Sequence, residues 1–378
     1  VSVRFRHPDG SLVHLAYCTN VHPAEDLDGV IGQLGRYARP ARERLGVPLL
    51  GVGLWLARGV ADVLVADPAR LARLRAALDR HGLEVVTLNG FPYQGFQAEV
   101  VKHRVYHPDW TEPARLRYTL DLARILAGLL PDDVAEGSVS TLPLAWRHPW
   151  TEGQAATAAR HRALLAEGLA ELAAETGKTI RVGFEPEPGC VVETTAQAAA
   201  QGLGVCLDAC HLAVAFEDPA AAVARLGPSI VKLQASAALH ADRPADPATR
   251  RALASFAEPR FLHQTREAGH LHGTDDLDAA LDGWLPGDAA WRVHFHVPLH
   301  APPAPPLRST GPVLEEVLAV LFGGDRALTR HIEVETYTWE VLPDPPRTPG
   351  ALADGIAAEL AWTRDRLIDL GLKEEHPA

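Results

Sequence analysis

Gly204-Val205-Cys206-Leu207-Asp208-Ala209-Cys210-His211 is a short apolar run that stops on Asp-x-x-His. Alternation along a strand turns Val205 and Leu207 one way, Cys206 and Asp208 the other. A carboxylate at the tip of a buried strand is costly to desolvate unless a cation or a partner charge meets it. Divalent metals accept such a carboxylate–imidazole set, although an Asp–His hydrogen bond alone would also satisfy the spacing. The run gains weight because three other apolar strands also end in carboxylates, amides or histidines.

Working outward, seven more apolar runs share this character: 12–18, 49–56, 83–88, 138–142, 179–185, 230–234 and 331–336. Between and after them lie amphipathic stretches at 69–81, 112–130, 154–176, 219–226, 312–322 and 352–370. Strand and helix alternating eight times predict an α/β fold, a (β/α)8 TIM barrel with a closed parallel sheet. The whole chain, 1–378, is expected to form this one domain. Two segments exceed what a barrel needs. Residues 89–110 after the third strand are rich in aromatics, and residues 235–310 after the seventh form a longer insertion with strand-like runs at 260–264 and 291–298. Both follow strands, so both belong to the C-terminal face, as lids or binding walls. An oligomer contact is the alternative role, and a homo-oligomer stays open.

The same parity argument applies to the other strand ends. In Arg181-Val182-Gly183-Phe184-Glu185, Val182 and Phe184 face the helices and Glu185 faces the mouth. Gln234 ends Val231-Lys232-Leu233-Gln234, and Glu335 ends Ile332-Glu333-Val334-Glu335. Glu185, Asp208, Gln234 and Glu335 therefore share one rim, where three carboxylates repel unless a divalent cation joins them. One layer deeper, Lys232 and Glu333 should form a buried ion pair, structural rather than a Schiff-base centre. In the insertion, His294 and His296 have one parity, and His263, His270 and His272 lie close in sequence. His296 is the expected contributor to the rim.

Net charge is −12, which argues against a nonspecific nucleic-acid binder. No apolar run approaches the ~20 residues of a membrane span, and the first residues carry Arg4, Arg6 and Asp9 rather than an apolar leader. A cytoplasmic protein with no membrane insertion is expected. The four cysteines, Cys18, Cys190, Cys206 and Cys210, show no C-x-x-C spacing and read as buried free thiols.

The Asp-x-x-His run, Gly183-Phe184-Glu185-Pro186-Glu187-Pro188-Gly189 and Glu333-Val334-Glu335-Thr336 together resemble the xylose-isomerase-like barrels, a superfamily of sugar epimerases and isomerases, inosose dehydratases and endonuclease IV. Tyr17-Cys18-Thr19-Asn20-Val21-His22 and Glu335-Thr336-Tyr337-Thr338-Trp339 further resemble the metabolite-traffic barrels of ebo-type operons. The resemblance implies a divalent ion, with Mn, Zn, Mg, Co and Fe not distinguished. Glu185, Asp208 and Glu335 would hold it, with a seventh-strand ligand. That ligand is His in the family and Gln234 here, so His211 or His296 is expected to complete the set around one firmly bound ion. The implied activity is isomerisation or epimerisation of a sugar, cyclitol or related polyhydroxy carbonyl compound. Glu185 and Glu335 would move the proton while His211 binds a substrate oxygen or a second metal. Asn89, Phe91, Tyr93, Glu187 and Trp339 would contact substrate. The alternatives are a phosphoester hydrolase of the endonuclease IV type and a non-catalytic metabolite-binding or traffic protein. The nuclease branch needs histidines at the ends of the second or third and of the fourth strands. This chain has Asn89-Gly90 and Thr141-Leu142-Pro143 there, with His148 off pattern. The intact Glu–Asp–Glu set argues against loss of catalysis.

Overall fold

In the computed structural model, which describes residues 3–22, 24–269 and 273–375, eight parallel strands close on themselves. They are β1 (Leu12–Cys18), β2 (Leu50–Trp55), β3 (Thr87–Asn89), β4 (Glu136–Thr141), β5 (Thr179–Phe184), β6 (Val205–Asp208), β7 (Ile230–Ala235) and β8 (His331–Val334). Each pairs with the next, and β8 pairs with β1 to complete the ring. The expected (β/α)8 barrel is therefore the observed one. Outside the ring, Arg4–Arg6 runs antiparallel to β1 and to Lys373–Glu374.

Several strands are shorter than their apolar runs. The run expected over 83–88 splits into Leu83–Glu84 and β3, and β8 ends at Val334, short of residue 336. Glu185 and Glu335 consequently sit just beyond their strands, each still tied by its backbone N–H to the neighbouring strand, at Thr141 O and Ala235 O.

Local signals explain the helices. Pro68–His81 starts on Asp67, whose side chain accepts from Ala69 N, and stops at Gly82 with φ 65°. Glu152–Thr176 opens with a Thr151/Gln154 capping box and stops at Gly177 with φ 68°. Sequence periodicity missed the helical stretch 27–45. Pro40 there reads as a breaker, because its ring clashes with the carbonyl four residues back. The chain absorbs it in a π-helical turn, Leu34–Ala38, just ahead of Arg39–Leu45. Arg58–Ala66 was also missed; it packs Val60, Ala61 and Leu64 inward.

The insertion after β7 builds a second, antiparallel sheet in the order Gly273–Thr274, Thr265–Glu267, Trp291–Val293, Leu239–Ala241, Arg308–Ser309. The strand expected over 260–264 is instead the loop leading into Thr265–Glu267. The strand expected over 291–298 ends at Val293, where the chain turns so that His294 N bonds Gln264 O and Val297 N bonds Ala237 O. Among the described residues no helix is long and apolar enough to cross a membrane.

On the last helix, Pro349–Asp369, Glu359 is wholly buried and binds the segment after β8. It accepts from Thr336 Oγ1 (2.6 Å), Trp339 Nε1 (3.0 Å) and Leu299 N (3.1 Å). Burial outweighs these donors and lifts its carboxyl to about 7. The native state therefore keeps a proton that the unfolded chain releases above its ordinary value of 4.5. Stability falls as pH rises from that value through about 7, because the folded state binds more protons over that window. Glu359→Gln should lack this component. From pH 5 to pH 8 the wild type should lose on the order of 3 kcal/mol relative to the variant, read from paired urea melts. Parallel stability–pH profiles would refute the assignment.

Candidate metal centre

The barrel register delivers the rim. Asp208 and Gln234 are directly paired across β6 and β7, and Glu185 and Glu335 emerge from β5 and β8. Ligand atoms of Glu185, Asp208 and Glu335 lie within 4.8 Å of one another, and all three side chains are buried. Burial, then the neighbouring carboxylate charges, pushes the Glu185 and Glu335 carboxyls well above the usual range.

The free valences converge. Glu185 Oε2, Asp208 Oδ2, His296 Nε2 and both amide atoms of Gln234 are buried with no hydrogen-bond partner among the described residues. Buried polar atoms are rarely left unpaired, so a group of them on one rim calls for a ligand. Their other atoms are spoken for. Asp208 Oδ1 accepts from His211 N (2.8 Å) and Ser236 Oγ (2.9 Å). Glu335 Oε1 accepts from Asn20 Nδ2 (2.7 Å) and Asn89 Nδ2 (2.8 Å). His296 Nδ1–H donates to the Glu335 carbonyl at 2.7 Å, which leaves its Nε2 as a lone pair. Carboxylate oxygens with an imidazole nitrogen and an amide oxygen suit a divalent cation, and the residues present fit one. Gln234 and His296 both supply unsatisfied atoms for a fourth ligand.

The mouth opens into a pocket on the C-terminal face of the barrel. Its floor is Asn20, Asn89, Glu185, Glu187, His211, His294 and Glu335. Its roof comes from the loop after β3 (Phe91, Phe96, Val101, Tyr106), from Phe261 and Leu262 of the insertion, and from Tyr337. Glu187 sits at one side, accepting from Tyr106 OH (2.8 Å) and Gln264 Nε2 (3.2 Å), with burial lifting its carboxyl to about 8. Lys102 is the one permanently charged cation among the lining residues, and it is paired with Asp276.

Two expectations for this region, those for Tyr93 and Trp339, need correcting. Tyr93 does not line the cavity; it packs edge-on against Tyr118 and beside Arg115, behind the roof. Trp339 does not line it either, because its indole is held by Glu359 and lies over Gly355. Asn89 lines the cavity, but its amide nitrogen is committed to Glu335 and its carbonyl oxygen to Phe91 N, so it orients the carboxylate. Phe91 and Glu187 do line the cavity. Lys232 and Glu333 form the expected ion pair, completely buried. His263 is held by Glu258 and by the His294 carbonyl, away from the rim, while His270 and His272 lie outside the described residues. Sequence reasoning missed Asn20 and Gln264. Asn20 lies two residues past β1, and the parity used for the other strand ends would have found it. Gln264 had no periodic signal, since it lies in the loop that precedes a short strand.

An eight-stranded parallel barrel with acidic and imidazole groups gathered at the C-terminal ends of its strands is a (β/α)8 protein with its candidate site where such barrels carry theirs. Residues 51–255 match the xylose isomerase-like TIM barrel family, and the chain belongs to it. No curated protein matches the chain. Among solved structures it is similar to a D-psicose 3-epimerase with D-tagatose from Clostridium cellulolyticum H10, at 12% identity and a TM-score of 0.49 over 93% of this chain and 99% of that one. It is similar also to the IolI protein with a bound zinc atom, at 13% and 0.45 over 94% and 98%. A xylose isomerase domain protein from Planctomyces limnophilus is similar at 11% and 0.46 over 94% and 95%.

Asp208→Asn should weaken divalent-ion binding at the rim by roughly 100-fold while leaving the far-UV circular dichroism unchanged. Asn still caps the following helix, Ala209–Val214, which Asp208 now opens. Undiminished metal content in that variant would remove Asp208 from the centre. Gln234→His, which offers a nitrogen donor at the same place, should tighten binding in a calorimetric titration.

Proposed function

We propose that the protein is a metal-dependent isomerase or epimerase of a small polyhydroxy carbonyl compound, a sugar, cyclitol or relative, working by proton transfer between Glu185 and Glu335. A divalent ion bound at the rim would polarise the substrate carbonyl and an adjacent hydroxyl, acidifying the carbon between them. The observation that carries this reading is the pair of glutamates from β5 and β8. They share the rim with Asp208 and line the pocket at the barrel mouth.

The two glutamates are held differently. Asn20 and Asn89 both donate to Glu335 Oε1, which fixes the carboxylate plane and leaves Oε2 for the substrate proton. Glu185 has an unpaired Oε2, with Oε1 3.8 Å from His211 Nδ1. A carboxylate lifted from its usual range is a better proton acceptor at neutral pH, and burial lifts both. One takes the proton from the carbon and the other returns it. Phe91, Phe96, Phe261 and Tyr337 cover the site and keep bulk water from the carbanion-like species.

The phosphoester-hydrolase alternative is less well supported. Phosphate oxygens are commonly met by cationic side chains as well as by metal, and among the described residues that line the cavity the one permanent cation, Lys102, is already paired with Asp276.

The test is solvent exchange. Metal-loaded protein, incubated with ketoses and inososes in deuterated water, should place deuterium at the carbon next to the carbonyl, read by proton NMR. Glu335→Gln should slow that exchange by about 10²–10⁴-fold and reduce metal affinity much less, because an amide oxygen still ligates but accepts no proton. Wild-type exchange rates in that variant would rule out Glu335 as the base. Release of inorganic phosphate from sugar phosphates, without exchange, would replace this reading with the hydrolase.

A further inference from the structure

Glu335 is gripped by two amides, and one of them is itself held from outside the barrel. Asn89 ends β3, and its Oδ1 accepts from Phe91 N (3.1 Å), so the side chain closes the turn. With Oδ1 engaged there, Nδ2 faces Glu335 Oε1 at 2.8 Å. The N–H that sets the amide belongs to the Gly90–Phe91 peptide. The carbonyl of that same peptide, Gly90 O, accepts from Arg115 Nη1 at 2.8 Å, and Phe91 O accepts from the same nitrogen at 3.0 Å. Gly90 N donates to Ser140 O (2.9 Å) on β4. The peptide plane cannot swing without breaking these bonds, so the Asn89 amide is fixed in the orientation that serves Glu335. Arg115 Nε also reaches the far end of the roof loop, at Pro108 O (2.8 Å). One guanidinium on the helix Pro113–Leu129 therefore ties both legs of that loop together.

A charge in this position is expensive. Arg115 is fully buried, its bonded partners are all carbonyls, and Nη2 has no partner among the described residues. Burial lowers the guanidinium to about 10, which leaves it cationic at neutral pH. The rings of Tyr93 and Tyr118, with centroids 5.7 and 5.6 Å away, offset part of the desolvation. An apolar side chain of similar volume would carry no such burden, so packing does not account for the residue. Nor does simple anchoring of the loop. The next carbonyl, Pro92 O, is held separately by Trp55 Nε1 (2.9 Å) and Tyr118 OH (3.1 Å). What Arg115 adds is control of the turn at residues 89–91.

We propose that Arg115 is a positioning residue of the rim. Through the Gly90–Phe91 peptide it holds the Asn89 amide, and through that amide it holds the plane of the Glu335 carboxylate. It touches neither the ion nor the substrate. The inference rests on the reading of Glu335 as the carboxylate that binds metal and moves the proton. Lysine is no substitute, because the planar fork of a guanidinium presents donors at separate fixed places, whereas an ammonium is a single point that cannot hold Gly90 and Pro108 at once.

The test has two parts. Crystal structures of the metal-free wild type and of Arg115→Lys come first, because the Asn89–Glu335 contact needs neither metal nor substrate. The variant should lose that hydrogen bond while β3 and the helix stay in place, and a retained bond would overturn the proposal. Calorimetric titration with Co(II) then compares Arg115→Lys, Asn89→Ala and the double variant. Each single change should weaken binding about 10-fold. The double variant should lose no more than about twofold beyond Asn89→Ala, because Arg115 acts through Asn89. Losses that multiply to about 100-fold would make Arg115 an independent structural residue and overturn the proposal, as would unchanged affinity in Arg115→Lys. Arg115→Met, which keeps the stem and no donor, repeats both measurements if the lysine variant does not fold. Failure of both variants to fold would assign Arg115 to stability alone and also overturn it. A wild type that binds no Co(II) would remove the metal reading of Glu335 instead, and the crystal structures then decide the role of Arg115.

Discussion

Three carboxylates enclosed at the mouth of a closed barrel are the constraint around which the rest of this molecule is arranged. Each is buried, and their ligand atoms lie within 4.8 Å of one another. Like charges at that distance in a low-dielectric site cannot all ionise unless something offsets them. The protein offsets part of the charge with oriented donors. Two asparagine amides meet Glu335, and a backbone N–H and a serine hydroxyl meet Asp208. Glu185 Oε2 and Asp208 Oδ2 stay without a hydrogen-bond partner among the described residues. Buried polar groups left in that state cost stability, and retaining several of them together is what a built metal centre requires.

Below the rim lies the Lys232–Glu333 pair; the Lys232 charge lowers the Glu185 carboxyl against the larger effect of burial, whereas at Glu335 the Glu333 carboxylate raises the carboxyl more than Lys232 lowers it. Space for the pair is made by a glycine. A Cβ on Gly53 would come 1.5 Å from Glu333 Oε1, so β2 gives up a side chain where β8 carries an ionised one. The barrel interior is thus packed for a charged layer, unlike the branched aliphatic layers usual in such barrels.

Above the rim, two segments far apart in sequence meet. The backbone N–H groups of Val101 and Lys102, in the loop after β3, both bond the Arg260 carbonyl, and Lys102 pairs with Asp276 of the insertion. These links close an aromatic roof over a polar floor. They also hold the insertion so that the turn after Val293 presents His294 and His296 to the mouth. The insertion supplies metal-competent nitrogen where the seventh strand offers only Gln234.

The ring of strands, the placement of Glu185, Asp208, Gln234 and Glu335 on one rim, and the Lys232–Glu333 pair were legible in the sequence, because a strand's period of two fixes which side each residue faces once one face is buried. The Pro40 helix was not, since a π-helical turn can absorb a residue that local rules read as a stop. The roles of Asn89, Tyr93 and Trp339 were not legible either. Periodicity says which face a residue occupies and nothing about which partner claims its polar atoms. Glu335 claims Asn89, Glu359 claims Trp339, and Tyr118 and Arg115 cover Tyr93. The facing of His211 and His294 lies furthest from what sequence determines. The two are brought within 3.0 Å by an insertion that folds back over the barrel. Their other ring nitrogens meet a proline carbonyl and a glutamine amide, and only the tertiary structure puts those groups beside them.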